Sequence, residues 1–119
     1  MLKPLLMVAL VTALTACSSP EPVTNPNPTP ELATCPSTIV IRDFEYEPDN
    51  CQVAAGTTIT FLNEDTVQHT ATSRPGAPTP FDTGTLGRRE SATVTFSAPG
   101  VYPYYCTVHP DMAASITVK

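Results

Sequence analysis

Hydrophobic and polar residues alternate with period two in several short stretches of the chain. Thr38-Ile39-Val40-Ile41 is a β-branched run, and Thr58-Ile59-Thr60-Phe61-Leu62 alternates after Gly56, placing Ile59 and Phe61 on one face. Ala92-Thr93-Val94-Thr95-Phe96 alternates and stops at Pro99-Gly100; Val101 to Tyr105 and Ser115-Ile116-Thr117-Val118 follow. Short period-two runs separated by turn residues, with no helical stripe, predict an all-β sandwich of about eight strands. Pro103 has no N–H to give to a ladder, so an edge position or a bulge is expected there. Ser73 to Gly87 holds three Pro and three Gly and reads as a long loop with at most one short strand. All eight aromatic residues lie between Phe44 and Tyr105, which locates the core within a domain spanning residues 37–119.

The N-terminus follows different rules. After Lys3, Leu5 to Leu14 is an apolar run of about ten residues, half of what a bilayer span needs. It leads into Leu14-Thr15-Ala16-Cys17, which looks like a bacterial lipobox. On that reading residues 1–16 are a signal peptide and Cys17 carries lipid; the alternative is an ordinary secretory signal with a cysteine at the cut. Either way the protein is exported and disulfides become permissible. Residues 17–36 form a linker punctuated by Pro20, Pro22, Pro26, Pro28, Pro30 and Pro36, without aromatics. Such a segment favours extended, semi-rigid chain at about 3.1 Å per residue, and reads as a tether to a membrane on its extracytoplasmic side.

Composition narrows the function. A chain of 119 residues carries one domain, and a formal charge of -5 with scattered Lys and Arg excludes nucleic-acid binding. A monomer is expected. Four cysteines are too few for a disulfide scaffold and need individual explanations.

The chemistry concentrates in Tyr104-Tyr105-Cys106-Thr107-Val108-His109-Pro110-Asp111-Met112, which sets a thiolate, an imidazole and a thioether at i, i+3 and i+6. The other of the chain's two histidines, His69, follows the strand ending near Asn63. Strand ends converge at one end of a sandwich, so His69, Cys106, His109 and Met112 can meet. Two imidazoles, a thiolate and a distant thioether suit copper, whereas zinc takes four strong ligands and magnesium or calcium takes oxygens. Such a set fills the coordination positions of an electron-transfer copper, which makes an electron carrier rather than an enzyme. A multicopper oxidase or nitrite reductase would need further histidine-rich sites that two histidines cannot supply. Other readings compete: Cys106 as half of a disulfide with Cys35 or Cys51, His69 on the surface, Met112 as core.

At these residues the chain resembles the cupredoxins, the type 1 blue copper proteins of the plastocyanin and amicyanin kind. The resemblance runs from about residue 38 to 119. It takes in Asp43-Phe44 with Pro48, Ala55-Gly56-Thr57, Asn63 to His69, Phe96 to Tyr102 and the Cys-His-Met loop. Two residues between His109 and Met112 look like the short amicyanin-type loop. The resemblance implies an eight-stranded Greek-key sandwich, one mononuclear copper and one-electron transfer between redox partners. It also implies Met112 as weak axial ligand, with the backbone carbonyl of Gln68 on the far side. Thr70 stands where many relatives have an Asn that ties the ligand loops together, so Thr70 with Thr107 is expected to do this differently.

His109, with Val108 and Pro110 and with Ala113 nearby, would form the apolar patch through which the electron leaves, suited to brief docking. The partner would be a redox protein such as a c-type cytochrome or a copper or haem oxidoreductase. Asp43, Glu45, Glu47 and Asp49 would steer a basic partner or form a solvated acidic loop. Tyr102, Tyr104 and Tyr105 read as packing rather than as a redox relay. Cys35 and Cys51, flanking the first strand, are expected to form a disulfide. Two other functions fit less of this pattern: an extracytoplasmic protein that binds and delivers copper, and a disulfide-stapled β lipoprotein without metal.

Overall fold

Alternation becomes strand wherever β-branched and aromatic residues can face a common interior. The computed structural model describes residues 30–119; the expected signal peptide, the lipidation site Cys17 and most of the linker lie outside the described residues. These residues form β1 (Thr38–Arg42), β2 (Glu45–Glu47), β3 (Asn50–Val53), β4 (Thr57–Asn63), β5 (Thr72–Ser73), β6 (Ser91–Phe96), β7 (Gly100–Tyr105) and β8 (Ala113–Val118), and no helix among them. One sheet has the order β2-β1-β4-β6 and the other β3-β8-β7-β5. β1 runs parallel to β4 and β3 parallel to β8, and the remaining pairs are antiparallel. The expected all-β sandwich is present, with mixed sheets.

Alternation fills the space between the sheets. Ile39 and Ile41 of β1, Ile59 and Phe61 of β4, Tyr102 and Tyr104 of β7 and Ile116 of β8 are all almost completely buried. Phe81, from the long loop, lies against Phe61, Phe96, Tyr102 and Tyr104, so that loop contributes to the core it covers. Gly100 starts β7 at φ +138°, where an added Cβ would come 2.6 Å from Pro78 of the same loop. The close approach and the backbone angle both require glycine.

Three local features differ from the pattern-based expectation. The acidic stretch after β1 is no loop: Glu45 and Glu47 are exposed while Tyr46 between them is buried, which makes β2 a strand of alternating burial. β3 follows the same rule with Cys51 and Val53 inward, in a segment whose Asp49-Asn50 turn signal masks it. Pro103 lies on neither an edge strand nor a bulge, because β7 runs between β8 and β5. It is tolerated because β5 pairs only with Tyr104 and Tyr105, so its missing N–H falls beyond the end of that ladder.

Cys35 and Cys51 are bonded, with Cα atoms 4.9 Å apart. The backbone of Ala33 and Cys35 continues the pairing outside β3: Cys35 N–H donates to the Gln52 carbonyl, and Gln52 N–H to the Ala33 carbonyl. These residues, which composition assigns to the linker, therefore line the edge of the second sheet.

Candidate metal centre

Asn63, the last residue of β4, is polar and fully buried, and it organises the segment after it. Its side-chain amide donates to the carbonyls of Val67 and Leu86, and its carbonyl oxygen accepts from Asp65 N–H. His69 is then fixed by reciprocal backbone bonds with Leu86. On the other side, β7 ends at Tyr105 and delivers Cys106 into a closed loop. Cys106 N–H donates to the Met112 carbonyl, and Met112 N–H to the His109 carbonyl.

The two loops bring His69 Nδ1, Cys106 Sγ and His109 Nδ1 together. The sulfur lies 3.7 Å from His69 Nδ1 and 3.9 Å from His109 Nδ1, and the two nitrogens are 3.2 Å apart. His69 and Cys106 are fully buried, and His109 is partly exposed. Met112 is buried beside them on the ligand loop, 6% exposed. Gln68 is exposed immediately before His69. No other group of three His, Cys, Asp or Glu among the described residues gathers its ligand atoms in this way. A buried thiol facing two imidazoles, with a thioether on the same loop, is a donor set that fits copper.

Thr70 ties the loops together. Its N–H donates to Cys106 Sγ at 3.3 Å, its hydroxyl accepts from Thr107 N–H at 2.9 Å, and its carbonyl accepts from the Tyr46 hydroxyl. The Thr70 and Thr107 hydroxyls are themselves 3.3 Å apart. The expected pairing of Thr70 with Thr107 is therefore made through a backbone amide as well as through the hydroxyls. Burial pushes the Tyr46 phenol well above its ordinary value, with Cys106 and Tyr104 adding to the effect, so it remains a donor.

Two residues around the centre were given no role by sequence reasoning. Asp65 Oδ2 is 2.7 Å from His69 Nε2. Burial alone would raise the Asp65 carboxyl, but the N–H groups of Phe44 and Asp43 and the His69 ring outweigh it and hold it below the usual carboxylate range. An ionised Asp65 can only accept, which places a proton on Nε2, and Nδ1 is the ring atom that faces the sulfur. Phe44, 50% exposed, sets its ring nearly perpendicular to both imidazoles, 5.3 Å from His69 and 5.0 Å from His109. The available signals were a carboxylate four residues before His69 and a single aromatic in an acidic turn. Neither is specific without the fold.

Val108 is exposed and Pro110 lies at the surface next to His109. Tyr102 and Tyr104 are core, whereas Tyr105 lies under the Arg74 guanidinium at 4.4 Å.

A family model described as a cupredoxin-like domain matches residues 6–118. Amicyanin-alpha of Methylorubrum extorquens is 28% identical over 83 residues, covering 68% of this chain and 70% of that protein. An oxidized amicyanin variant superposes with a TM-score of 0.65 at 25% identity, covering 73% of this chain and 82% of that one. A Cu-containing nitrite reductase from Thermus scotoductus SA-01 superposes with a TM-score of 0.67 at 33% identity over 71% of this chain, but the chain spans only 22% of that enzyme.

Proposed function

The chain belongs to the cupredoxin-like family, and from that premise we propose that it is an exported, membrane-tethered type 1 copper protein that carries single electrons between redox partners. The observation that carries this reading is the convergence of His69 Nδ1, Cys106 Sγ and His109 Nδ1 on one point at the end of the sandwich. These three atoms would hold the metal, with the Met112 thioether as a weaker additional donor. When bound, copper supplies a one-electron couple between Cu(I) and Cu(II). The protein's part is to hold the donors still: Thr70 and Thr107 bind the loops to each other, and the Thr70 N–H partly neutralises the thiolate.

His69 is enclosed, so electrons would pass through the more exposed His109, between Val108 and Pro110. Phe44 extends this apolar surface. Glu45, Glu47, Asp49 and Asp111 line an adjoining groove of about 450 Å³ and would steer a basic partner, such as a c-type cytochrome, into brief contact. Lipidation at Cys17 and a 17–36 tether would keep the domain at the extracytoplasmic face of a membrane. That part of the proposal rests on the Leu14-Thr15-Ala16-Cys17 pattern and on the proline-rich composition.

Copper titration followed by visible absorption tests the reading. An intense thiolate-to-copper band that bleaches with ascorbate and returns on reoxidation is expected. Copper binding without that band would indicate copper delivery instead, and no binding would leave a metal-free β module. Met112→Gln is expected to keep a copper site with a lower reduction potential.

A further inference from the structure

The two-residue turn between β1 and β2 carries a phenylalanine where such hairpin turns favour glycine. Asp43 and Phe44 both have positive φ, 51° and 60°, although neither is glycine. Positive φ at both positions is what a two-residue hairpin turn favours, but a bulky aromatic adopts it at a cost that a group outside the turn can offset. That group is Asp65. Its Oδ1 accepts from Asp43 N–H at 2.8 Å, and its Oδ2 accepts from Phe44 N–H at 3.0 Å. The same Oδ2 faces His69 Nε2. One carboxylate thus joins the turn to a ligand histidine. The turn in turn places the Phe44 ring nearly perpendicular to both imidazoles.

We propose that Asp65 is a positioning residue that locks the His69 ring with Nδ1 turned toward Cys106 and, through the Asp43–Phe44 turn, seats Phe44 as a cap over the two ligand histidines. Asp65 touches no metal; it acts through His69 and Phe44. The carboxylate fixes the tautomer and ring angle and strengthens His69 as a donor, which favours the oxidised metal. Phe44 shields the two imidazoles from water and from competing ligands.

This inference rests on the copper reading for its electrochemical consequences but not for its geometric ones. The first measurement uses metal-free protein with ¹⁵N-labelled histidine. Wild type is expected to show His69 as the Nε2–H tautomer with a slowly exchanging proton, and Asp65→Asn is expected to lose that protection. Asn still offers one oxygen to the turn, so the fold is retained, and Asp65→Glu tests rescue by a carboxylate. Phe44→Leu should keep the His69 tautomer while removing the aromatic ring-current shifts of both imidazoles.

The second measurement uses copper-loaded protein. Asp65→Asn is expected to raise the reduction potential and weaken copper about 10-fold or more, as loss of a histidine-orienting carboxylate does elsewhere. Phe44→Leu is expected to speed copper capture by bicinchoninate without a comparable change in potential. An Asp65→Asn protein whose His69 proton remains protected and whose potential is unchanged would overturn the positioning role. Unchanged ring shifts and capture rate in Phe44→Leu would overturn the cap. If wild type forms no blue centre, the proposed function fails, and the metal-free spectra still decide the positioning role.

Discussion

Two buried sulfur sites lie in one small sandwich, and they differ in what surrounds them. Cys51 and Cys106 are both fully enclosed. Cys51 faces Cys35 and is consumed in a bond that joins the segment before β1 to the edge of the other sheet. Cys106 is the free cysteine among the described residues, with two imidazole nitrogens and one N–H within 4 Å of its sulfur. Burial therefore does not decide the chemistry of a cysteine here; the neighbours do. A disulfide acts mainly by restricting the unfolded chain. A thiolate held by donors acts only in the folded state, and its role is functional.

That division can be tested by removing each site in turn. Cys106→Ser should abolish the visible copper band entirely while leaving the thermal unfolding of the metal-free protein nearly unchanged. If the metal-free domain collapses, Cys106 is also structural and the contrast is false. The double change Cys35→Ala with Cys51→Ala should do the reverse. A bridge across 16 positions contributes about 3 kcal/mol by chain entropy, to be read by urea unfolding, and the copper spectrum should survive.

Thr70→Val lies nearer the boundary between the two roles. It removes the acceptor for Thr107 N–H and should cost about 1 kcal/mol, because a part-buried hydrogen bond between the two loops is lost. It should also shift the reduction potential, since the Thr70 amide then holds the sulfur less rigidly. A stability loss with an unmoved potential would place Thr70 in the scaffold alone. The smallest effect is expected from Arg42→Ala. Arg42 pairs with Glu64 and Glu47 on the surface, where solvent screens the interaction, so neither spectrum nor unfolding midpoint should move measurably at physiological salt.

The sandwich and the ligand set were legible because each has a periodic or chemical signature. Ile59-Thr60-Phe61 alternates as a half-buried strand must, and Cys106, His109 and Met112 are spaced as one loop can present them. β2 and β3 were hidden because they are three and four residues long and their alternation is carried by Glu, Asn and Gln around Tyr46 and Cys51. Pro103 misled because the sequence does not reveal how short β5 is. Asp65 and Phe44 were illegible for a different reason. Phe44 meets Asp65 across 21 positions of chain, which no local pattern reports, and a carboxylate four positions before His69 is ordinary until the fold turns the two side chains together. The Thr70–Thr107 contact spans 37 positions and was expected only through family resemblance.

The docked edge segment has one further consequence. Glu31 Oε1 lies 3.2 Å from Lys119 Nζ, just past the end of β8, whereas the ligand loop joins β8 at its start. The chain therefore enters the domain at one pole and the imidazoles sit at the other, separated by six strand residues, or about 20 Å. Anything holding the polypeptide upstream of residue 30 grips the pole farthest from His109. If the proposed tether holds the domain from that side, the His109 face would point away from the anchor, and the tether's length would set how far that face reaches.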